Sequence, residues 1–174
     1  MRVITAPEYH ETYYDVKVFL AGGITGCEHW QDKVINELKR LATYHDLGNV
    51  FVYNPRRENF DVTNPDAEIE QIRWEHDHLT RCDIVSYFFS ACESLQPITL
   101  YELGRYGKSK KAKPVITVQK GYLRERDVLI QTALDGIAVN HIPGEDAVLQ
   151  HARSIAQRVQ EVKRIGQRLV TGRS

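Results

Sequence analysis

Short runs of β-branched and aromatic residues alternate with longer amphipathic stretches along most of the chain. The short runs predict five strands, at 16–21, 50–53, 83–89, 114–118 and 136–140. Apolar residues at helical spacing predict helices between them, near 30–41, 67–81, 98–109 and 123–134. Strands and helices that alternate in this way build a parallel sheet covered by helices. We therefore expect a single α/β domain over residues 1–174.

The two ends of the chain depart from this alternation. Residues 1–15 show no clear pattern, so we expect either a flexible arm or an added edge strand. Residues 145–174 predict a C-terminal amphipathic helix with arginines on its polar face. Its apolar positions are Ile155, Val159, Val162, Ile165 and Leu169. A packing or dimer helix explains this pattern better than a nucleic-acid-binding helix does.

Composition narrows the range of partners. With 174 residues and 42% hydrophobic content, the chain is long enough to bury one real core. Lys plus Arg equals Asp plus Glu at 23 each. This balance argues against polymeric nucleic acid and against polybasic membrane contact. We expect a small-molecule ligand.

Cysteine spacing and the N-terminal sequence bear on the compartment. Cys27, Cys82 and Cys92 are odd in number and lie outside any CxxC pattern, so we expect neither a disulfide framework nor a zinc site. The first fifteen residues lack the apolar core of a signal peptide, and no apolar run approaches the ~20 residues of a membrane span. A soluble cytoplasmic protein, with no contact to membranes, is the expectation.

The segment PITLYELG, residues 97–104, contains the leading candidate for chemistry. It places Glu102 on a helix that follows a buried strand, and open α/β sheets bind ligands beyond the carboxyl ends of their strands. On a helical wheel, Glu102 falls outside the apolar face that we assign to Leu100, Leu103, Gly104 and Gly107, with the glycines approaching the sheet. The alternative is an exposed glutamate paired with Arg105.

A second carboxylate, Glu75, lies on the preceding helix. We place it within an apolar stripe made of Ile69, Ile72, Leu79 and Cys82. A carboxylate on a buried face needs a reason, which is either a functional site or a buried ion pair or cap with an arginine. Asp77 should face away from it and serve at the surface.

Three further positions are candidates with ordinary structural alternatives. Asp83 opens a strand, where it is a ligand residue or a cap. Arg56 and Arg57 follow the second strand, where guanidinium groups suit phosphate or carboxylate, or else sit in a mobile surface loop. Gly22-Gly23 forms either a phosphate-cradling turn or a plain tight turn.

No cofactor or metal is expected. His76 and His78 flank Asp77 on a predicted helix, and residues two apart on a helix point in different directions. They therefore make a poor pair of ligands for one metal. The glycine turn also matches neither GxGxxG nor a P-loop.

Taken in order, these pieces resemble the nucleoside 2-deoxyribosyltransferase-like family. The motifs are VFLAGGITG, HWQ, NPRR, QIRWEHDHLTRCDIVSYFF and PITLYELG, and the likeness covers residues 16–142. The resemblance implies a flavodoxin-like three-layer α/β/α sandwich with a mostly parallel five-stranded sheet. It also implies a nucleoside or nucleotide pocket, and relatives that assemble as dimers or larger homo-oligomers.

The resemblance assigns roles to single residues. Glu102 becomes the nucleophile, attacking the anomeric carbon and passing the sugar to a base or to water with retained configuration. Glu75, eight positions before Asp83, becomes a second acid of the site, and both are expected to position the sugar. The substrate-binding set is Phe19, Gly22, Gly23, Asn54, Arg56, Arg57, Gln96 and Tyr101.

Two positions depart from the usual family pattern. Phe19 stands where an aromatic hydroxyl is usual, and Gln96 stands where an aspartate or serine is usual, which puts base exchange in question. They motivate an alternative, a non-catalytic module that binds a nucleotide-derived ligand. The Asn54-Pro55-Arg56-Arg57 turn fits a phosphorylated substrate and favours a nucleotide over a free nucleoside.

Overall fold

The protein forms one parallel sheet with helices on both faces. The structure is a computed structural model that describes residues 1–9, 16–61, 63–109 and 113–171. Its strands are β1 Arg2–Thr5, β2 Val16–Gly22, β3 Val50–Asn54, β4 Ile84–Phe89, β5 Lys113–Gln119 and β6 Val139–Ile142. Its helices are α1 Trp30–Tyr44, α2 Pro65–Arg81, α3 Pro97–Tyr106, α4 Glu125–Leu134 and α5 Asp146–Thr171.

The strands lie in the order β1-β3-β2-β4-β5-β6, and neighbouring strands are parallel. The expected flavodoxin-like α/β architecture is confirmed, with one strand more than the five predicted. Arg2 to Thr5 pair with β3 and add an edge strand, one of the two alternatives for the N-terminal segment. Residues 10–15 of that segment lie outside the described part of the chain.

Alternation along the strands separates two hydrophobic clusters. In β4, Ile84 and Phe88 face a cluster with α1 and α5, whereas Val85, Tyr87 and Phe89 face a cluster with α2, α3 and α4. Successive side chains of a strand point to opposite faces, so this buried strand supplies both layers. The result is a three-layer sandwich.

Helix α5 packs against one face of the sheet through residues up to Val162. Ile155 and Val159 are buried against the sheet and α1, whereas Ile165 is 55% exposed. The helix therefore has a packing role, one of the two that its pattern predicts, as far as Val162. In the described part of the chain, no helix combines the length and apolar character that a membrane crossing requires.

The inward face of α2 differs from the predicted apolar stripe. Ile69 and Ile72 are exposed, whereas Trp74, His78 and Leu79 are buried. The stripe was misplaced because the true inward face also contains polar side chains that line a cavity. Apolar periodicity alone therefore assigned the wrong face to the first half of this helix.

Helix α3 corrects a second expectation. Gly104 is exposed, and a Cβ added to it would meet no atom within 4 Å, so it does not approach the sheet. Thr99 and Glu102 are the buried residues of this helix, and Leu100 and Leu103 are only half-buried. The polar side of α3 faces the body of the protein because a cavity lies beneath it.

Candidate active site

A cavity of about 450 Å³ opens at the carboxyl end of β2. The connection after β2 leads to β3 on one side, and the connection after β3 crosses back to β4 on the other side of β2, so the direction of the chain along the sheet reverses here. Such a switch point creates a crevice between the loops that follow the neighbouring strands. The walls come from the end of β2, the turn after β3, helix α2, the loop after β4 and helix α3.

Three carboxyl groups line this cavity, those of Glu68, Glu75 and Glu102, and of these Glu68 is exposed. Glu102 is 7% exposed, and burial, with the nearby charge of Glu75, raises its pKa to about 8. Burial also raises the pKa of Glu75, while a hydrogen bond from Gln71 Nε2 to Glu75 Oε1 at 2.8 Å lowers it. Acids that are buried together retain a proton at neutral pH, so the pair can both hold a proton and supply a carboxylate.

The alternative of an exposed Glu102 paired with Arg105 does not describe the structure. Arg105 Nη1 donates instead to Tyr101 Oη at 3.3 Å, on the outer side of α3. Tyr101 is 62% exposed and is absent from the cavity lining. The structure thus places Tyr101 outside this cavity, because it lies one position from Glu102 and so points elsewhere on the helix.

Tyr87 is a site-supporting residue that the sequence did not reveal. Its hydroxyl donates to the backbone carbonyl of Glu102 at 3.3 Å, and the side chain is fully buried. Burial raises the pKa of this phenol, so it stays neutral. A buried tyrosine normally finds a partner for its hydroxyl, which is the one sequence signal that could have singled it out.

Gln96 holds the glycine turn rather than an open position in the cavity. Its Oε1 accepts from the Gly23 N–H at 3.1 Å, and its Nε2 donates to the Ser90 carbonyl at 2.8 Å. The Gly23 N–H is therefore already bonded, which argues against a phosphate cradle at this turn. Gln96 has a φ of 50°, the left-handed region, which leads the chain into α3.

Close packing explains the glycines. A Cβ on Gly22 would lie 2.6 Å from the Phe88 carbonyl oxygen, and one on Gly23 would lie 2.8 Å from Gln96 Cδ. Both glycines line the cavity, as expected for the substrate-binding set. Trp30 Nε1 donates to the Gly23 carbonyl at 2.9 Å and fixes the turn from the other side.

The two arginines have different surroundings. Arg56 points into the loop after β2, where its Nη2 donates to the carbonyls of Ile24 and Glu28, both at 3.0 Å. Its Nε donates to Gln31 Oε1 at 2.9 Å, so the guanidinium holds this loop in place. The structure thus places Arg56 outside the cavity lining, unlike the phosphate-binding position expected for it. Asn54, likewise outside the cavity lining, shapes the turn through a hydrogen bond from the Arg56 N–H to its Oδ1 at 3.1 Å.

Arg57 lines the cavity. Its Nη2 donates to Glu70 Oε2 at 2.9 Å, and its guanidinium lies 5.6 Å from the centre of the Phe60 ring. Its Nη1 is buried and has no hydrogen-bond partner among the described residues. Arg57 is thus the arginine of the pair that can receive an anionic or carbonyl group from a ligand.

Asp83 lies at the wrong edge of the sheet for a site residue. It precedes β4, and its Oδ2 accepts from the Lys17 N–H at 2.9 Å, at the amino end of β2. The cavity is at the carboxyl ends of the same strands. The structural alternative, a capping role, therefore holds for Asp83, as the surface role does for Asp77, whose Oδ2 accepts from Tyr9 Oη at 3.3 Å.

Phe19 lines the cavity from the middle of β2 and is otherwise buried, with its ring 6.0 Å from that of Trp74. It brings an apolar surface to the place where the family pattern has a hydroxyl. Among the described residues, no group of three or more His, Cys, Asp or Glu side chains could hold a metal ion.

Cys27 and Cys92 form a disulfide, which corrects the expectation from their spacing. Their Cα atoms are 5.5 Å apart although 65 residues separate them in sequence. One follows β2 and the other follows β4, and these strands are neighbours, so their loops meet beside the cavity. Sequence spacing alone could not show this proximity.

All cavity residues fall within one stretch that comparison with protein families identifies. A family model described as nucleoside 2-deoxyribosyltransferase like matches residues 15–122. The chain belongs to this family. Membership of this family implies a small nucleoside as substrate. Comparison with curated proteins gives no match.

Proposed function

We propose that the protein cleaves or transfers the N-glycosidic bond of a (deoxy)nucleoside or its 5′-monophosphate, with Glu102 as nucleophile. The observation that carries this proposal is a buried Glu102 carboxyl group, beside a second carboxyl group, in a cavity at the switch point of the sheet. Family membership supports the same substrate class.

The proposed reaction has two displacements. A carboxylate oxygen of Glu102 bonds to the anomeric carbon as the bond from that carbon to the base nitrogen breaks, and the base departs with the electron pair and gains a proton. Water or a second base then attacks the same carbon and releases the carboxylate, and the attacking group loses a proton. Two inversions give net retention.

The acid pair fits this sequence of steps. Glu102 must be ionised to attack, and its raised pKa leaves a minor fraction of it ionised at neutral pH. Glu75 shares the cavity and positions the sugar in our proposal, while Asp83, at the opposite edge, has no part in it.

Arg57 supports a nucleotide as substrate. Its unpartnered Nη1 provides a charged donor inside the cavity, and a 5′-phosphate supplies oxygens that match a guanidinium group. The Nε of Arg56 donates to Gln31 on α1 and its Nη2 donates to the loop after β2, so we leave Arg56 out of the proposed phosphate site.

The hydrogen bonds of the Gln96 side chain favour hydrolysis over base exchange. Its amide oxygen is bonded to Gly23 and its amide nitrogen to Ser90, so neither is free to handle a departing or incoming base. Water needs no such recognition, and we propose it as the usual acceptor.

A binding module without turnover is the second candidate. The specific observation in its favour is the pKa of about 8 for Glu102, because a protonated carboxyl group is not a nucleophile. Such a module would return its nucleotide intact after long incubation. A sugar ester on Glu102, detected by mass spectrometry, would eliminate it.

Base release tests the proposal directly. We would incubate the protein with deoxynucleosides, ribonucleosides and their 5′-monophosphates and measure free base by chromatography. We expect release from at least one of them and none from Glu102→Gln. Glu161→Gln, an exposed position on α5, is the matched control and should keep full activity. Absence of release from every substrate, or release that persists in Glu102→Gln, would refute the proposed reaction.

We further propose that the chain is one domain, works in the cytoplasm and forms a homodimer or higher homo-oligomer. Exposed apolar side chains support assembly, including Ile98 and Tyr101 on α3 and Ile165 on the outer half of α5. A monomeric mass by light scattering would contradict the homo-oligomer.

A further inference from the structure

A backbone carbonyl fixes the orientation of the Gln71 side-chain amide. Its Nε2 donates to the Pro55 carbonyl oxygen at 2.8 Å and to Glu75 Oε1 at 2.8 Å. A carbonyl oxygen can only accept, so the group that faces Pro55 is the NH₂ and not the amide oxygen. Both amide hydrogens are therefore used within the protein.

The amide oxygen of Gln71 is left over. It is buried and has no hydrogen-bond partner among the described residues. A buried acceptor that stays unpaired lowers stability, and buried polar groups in folded proteins are normally paired. The fixed orientation means that rotation of the amide cannot remove this mismatch.

The residues around Gln71 do not supply a partner. Gln71 lines the same cavity as Glu75, which lies one helical turn further along α2, and Glu102. Arg57 Nη1 is a donor in the same cavity and is likewise without a partner, so the two groups do not satisfy each other. A molecule that enters the cavity, either water or a ligand that displaces it, is the remaining source of a donor.

We propose that Gln71 is a specificity-determining residue whose Oε1 accepts a hydrogen bond from an amino or hydroxyl group of the bound nucleoside. The proposal rests on the proposed function, because it takes the ligand to be a nucleoside or nucleotide. The donor is either the exocyclic amino group of the base or a sugar hydroxyl. A ligand that lacks it leaves the oxygen unpaired and binds roughly tenfold more weakly.

Matched ligand pairs test this inference without turnover. In the Glu102→Gln background, calorimetry would give Kd for nucleoside 5′-monophosphates with and without the exocyclic amino group, and with and without the 3′-hydroxyl. We expect one pair to differ roughly tenfold. In Gln71→Met the same pair should bind nearly equally, because the acceptor is gone.

The comparison within a pair separates a direct contact from an indirect effect. Loss of the Gln71 hydrogen bond to Glu75 changes both members of a pair alike, so the ratio of their Kd values is unaffected by it. Gln157→Met, at an exposed position on α5, should keep the original ratio. Thermal unfolding of Gln71→Met would verify that it is folded.

The outcomes of this experiment test the role of Gln71 separately from the proposed function. If nucleotides bind but neither ratio changes in Gln71→Met, the role of Gln71 is wrong while the proposed function stands. If no nucleotide binds to the parent protein, both are wrong. If the ratio of Kd values in Gln71→Met falls to near one for the pair that differs in the amino group, Gln71 contacts the base. If it falls to near one for the pair that differs in the 3′-hydroxyl, Gln71 contacts the sugar.

Discussion

Gln96 Oε1 accepts the Gly23 N–H across 73 residues of sequence, at 3.1 Å. This bond joins the turn after β2 to the loop after β4, and the Cys27–Cys92 disulfide joins the same two segments. The two segments therefore behave as one wall of the cavity. Backbone that lies this close leaves little room for added atoms.

We predict that Gly22→Ala is strongly destabilising. The new methyl carbon would lie 2.6 Å from the Phe88 carbonyl oxygen, so buried backbone must shift, at a cost of about 1–3 kcal/mol. Gly104→Ala is the matched control, since its methyl group meets open space on a helix, where alanine stabilises by about 0.5–1 kcal/mol. Urea unfolding of both variants measures the difference. Equal stability of the two would contradict the close packing at Gly22.

We predict that Glu102→Gln gains stability relative to the parent as the pH rises. The folded pKa of about 8 exceeds the unfolded value of 4.5, so stability that is full below pH 4.5 is lost progressively up to pH 8. The variant has no such loss, so its advantage should grow by about 1.4 kcal/mol per pH unit between these limits. Unfolding at pH 5 and pH 7 tests this slope. A difference that does not vary with pH would mean that Glu102 titrates normally.

Catalysis should show the coupling between the two acids. If Glu102 attacks as a carboxylate, kcat/KM rises with pH and levels off above an apparent pKa of about 8. Burial is the main cause of this raised pKa and Glu75 adds to it. The rise of kcat/KM should therefore occur at lower pH in Glu75→Gln. The measurement is a pH profile of base release for both proteins. If the rise of kcat/KM occurs at the same pH in Glu75→Gln as in the parent protein, the charge of Glu75 does not affect the pKa of Glu102.

Arg56 and Arg57 should respond in opposite ways to substitution. Arg56→Ala removes several hydrogen bonds to carbonyl groups and should destabilise the fold by about 2–4 kcal/mol. Arg57→Ala should leave stability nearly unchanged but weaken binding of a nucleoside 5′-monophosphate about 10- to 100-fold relative to the nucleoside. Thermal unfolding measures the stability of both variants, and calorimetry measures their binding of nucleotide and nucleoside. Equal loss of nucleotide and nucleoside binding in Arg57→Ala would exclude a phosphate contact.

His151 should make the protein sensitive to mild acid. It is fully buried between Ser86 Oγ at 3.0 Å and Thr117 Oγ1 at 2.8 Å, and burial lowers its pKa to about 3. Because the folded value lies below the unfolded value of 6.5, the unfolded state takes up a proton first, and stability falls as the pH drops below 6.5. The expected loss is about 2 kcal/mol between pH 7.5 and pH 5.

Urea unfolding in the Glu102→Gln background isolates this effect, because the opposite trend from Glu102 is then absent. His151→Gln in that background should remove most of the acid sensitivity. Unchanged sensitivity would assign it to another group.

Much of the fold follows from local patterns, because strand and helix periodicities reflect burial directly. The region around Glu102 was predictable for the same reason: it follows a buried strand at an edge where ligands bind. Asp83 was expected in the site through its spacing from Glu75 in the family resemblance, although its place before β4 puts it at the amino end of that strand, away from the cavity. The partners of Arg56 and Cys27 could not be predicted, because they come from segments that are distant in sequence.

Every residue that lines the cavity lies between Phe19 and Glu102, and none of the described residues of β6 or α5 is among them. Helix α5 instead packs through residues such as Ile155 against the opposite face of the sheet. Ligand choice and much of the scaffold are therefore encoded in separate parts of the polypeptide. Selectivity can accordingly be re-engineered by substitution on α2 and α3 while the buried face of the C-terminal helix is left untouched.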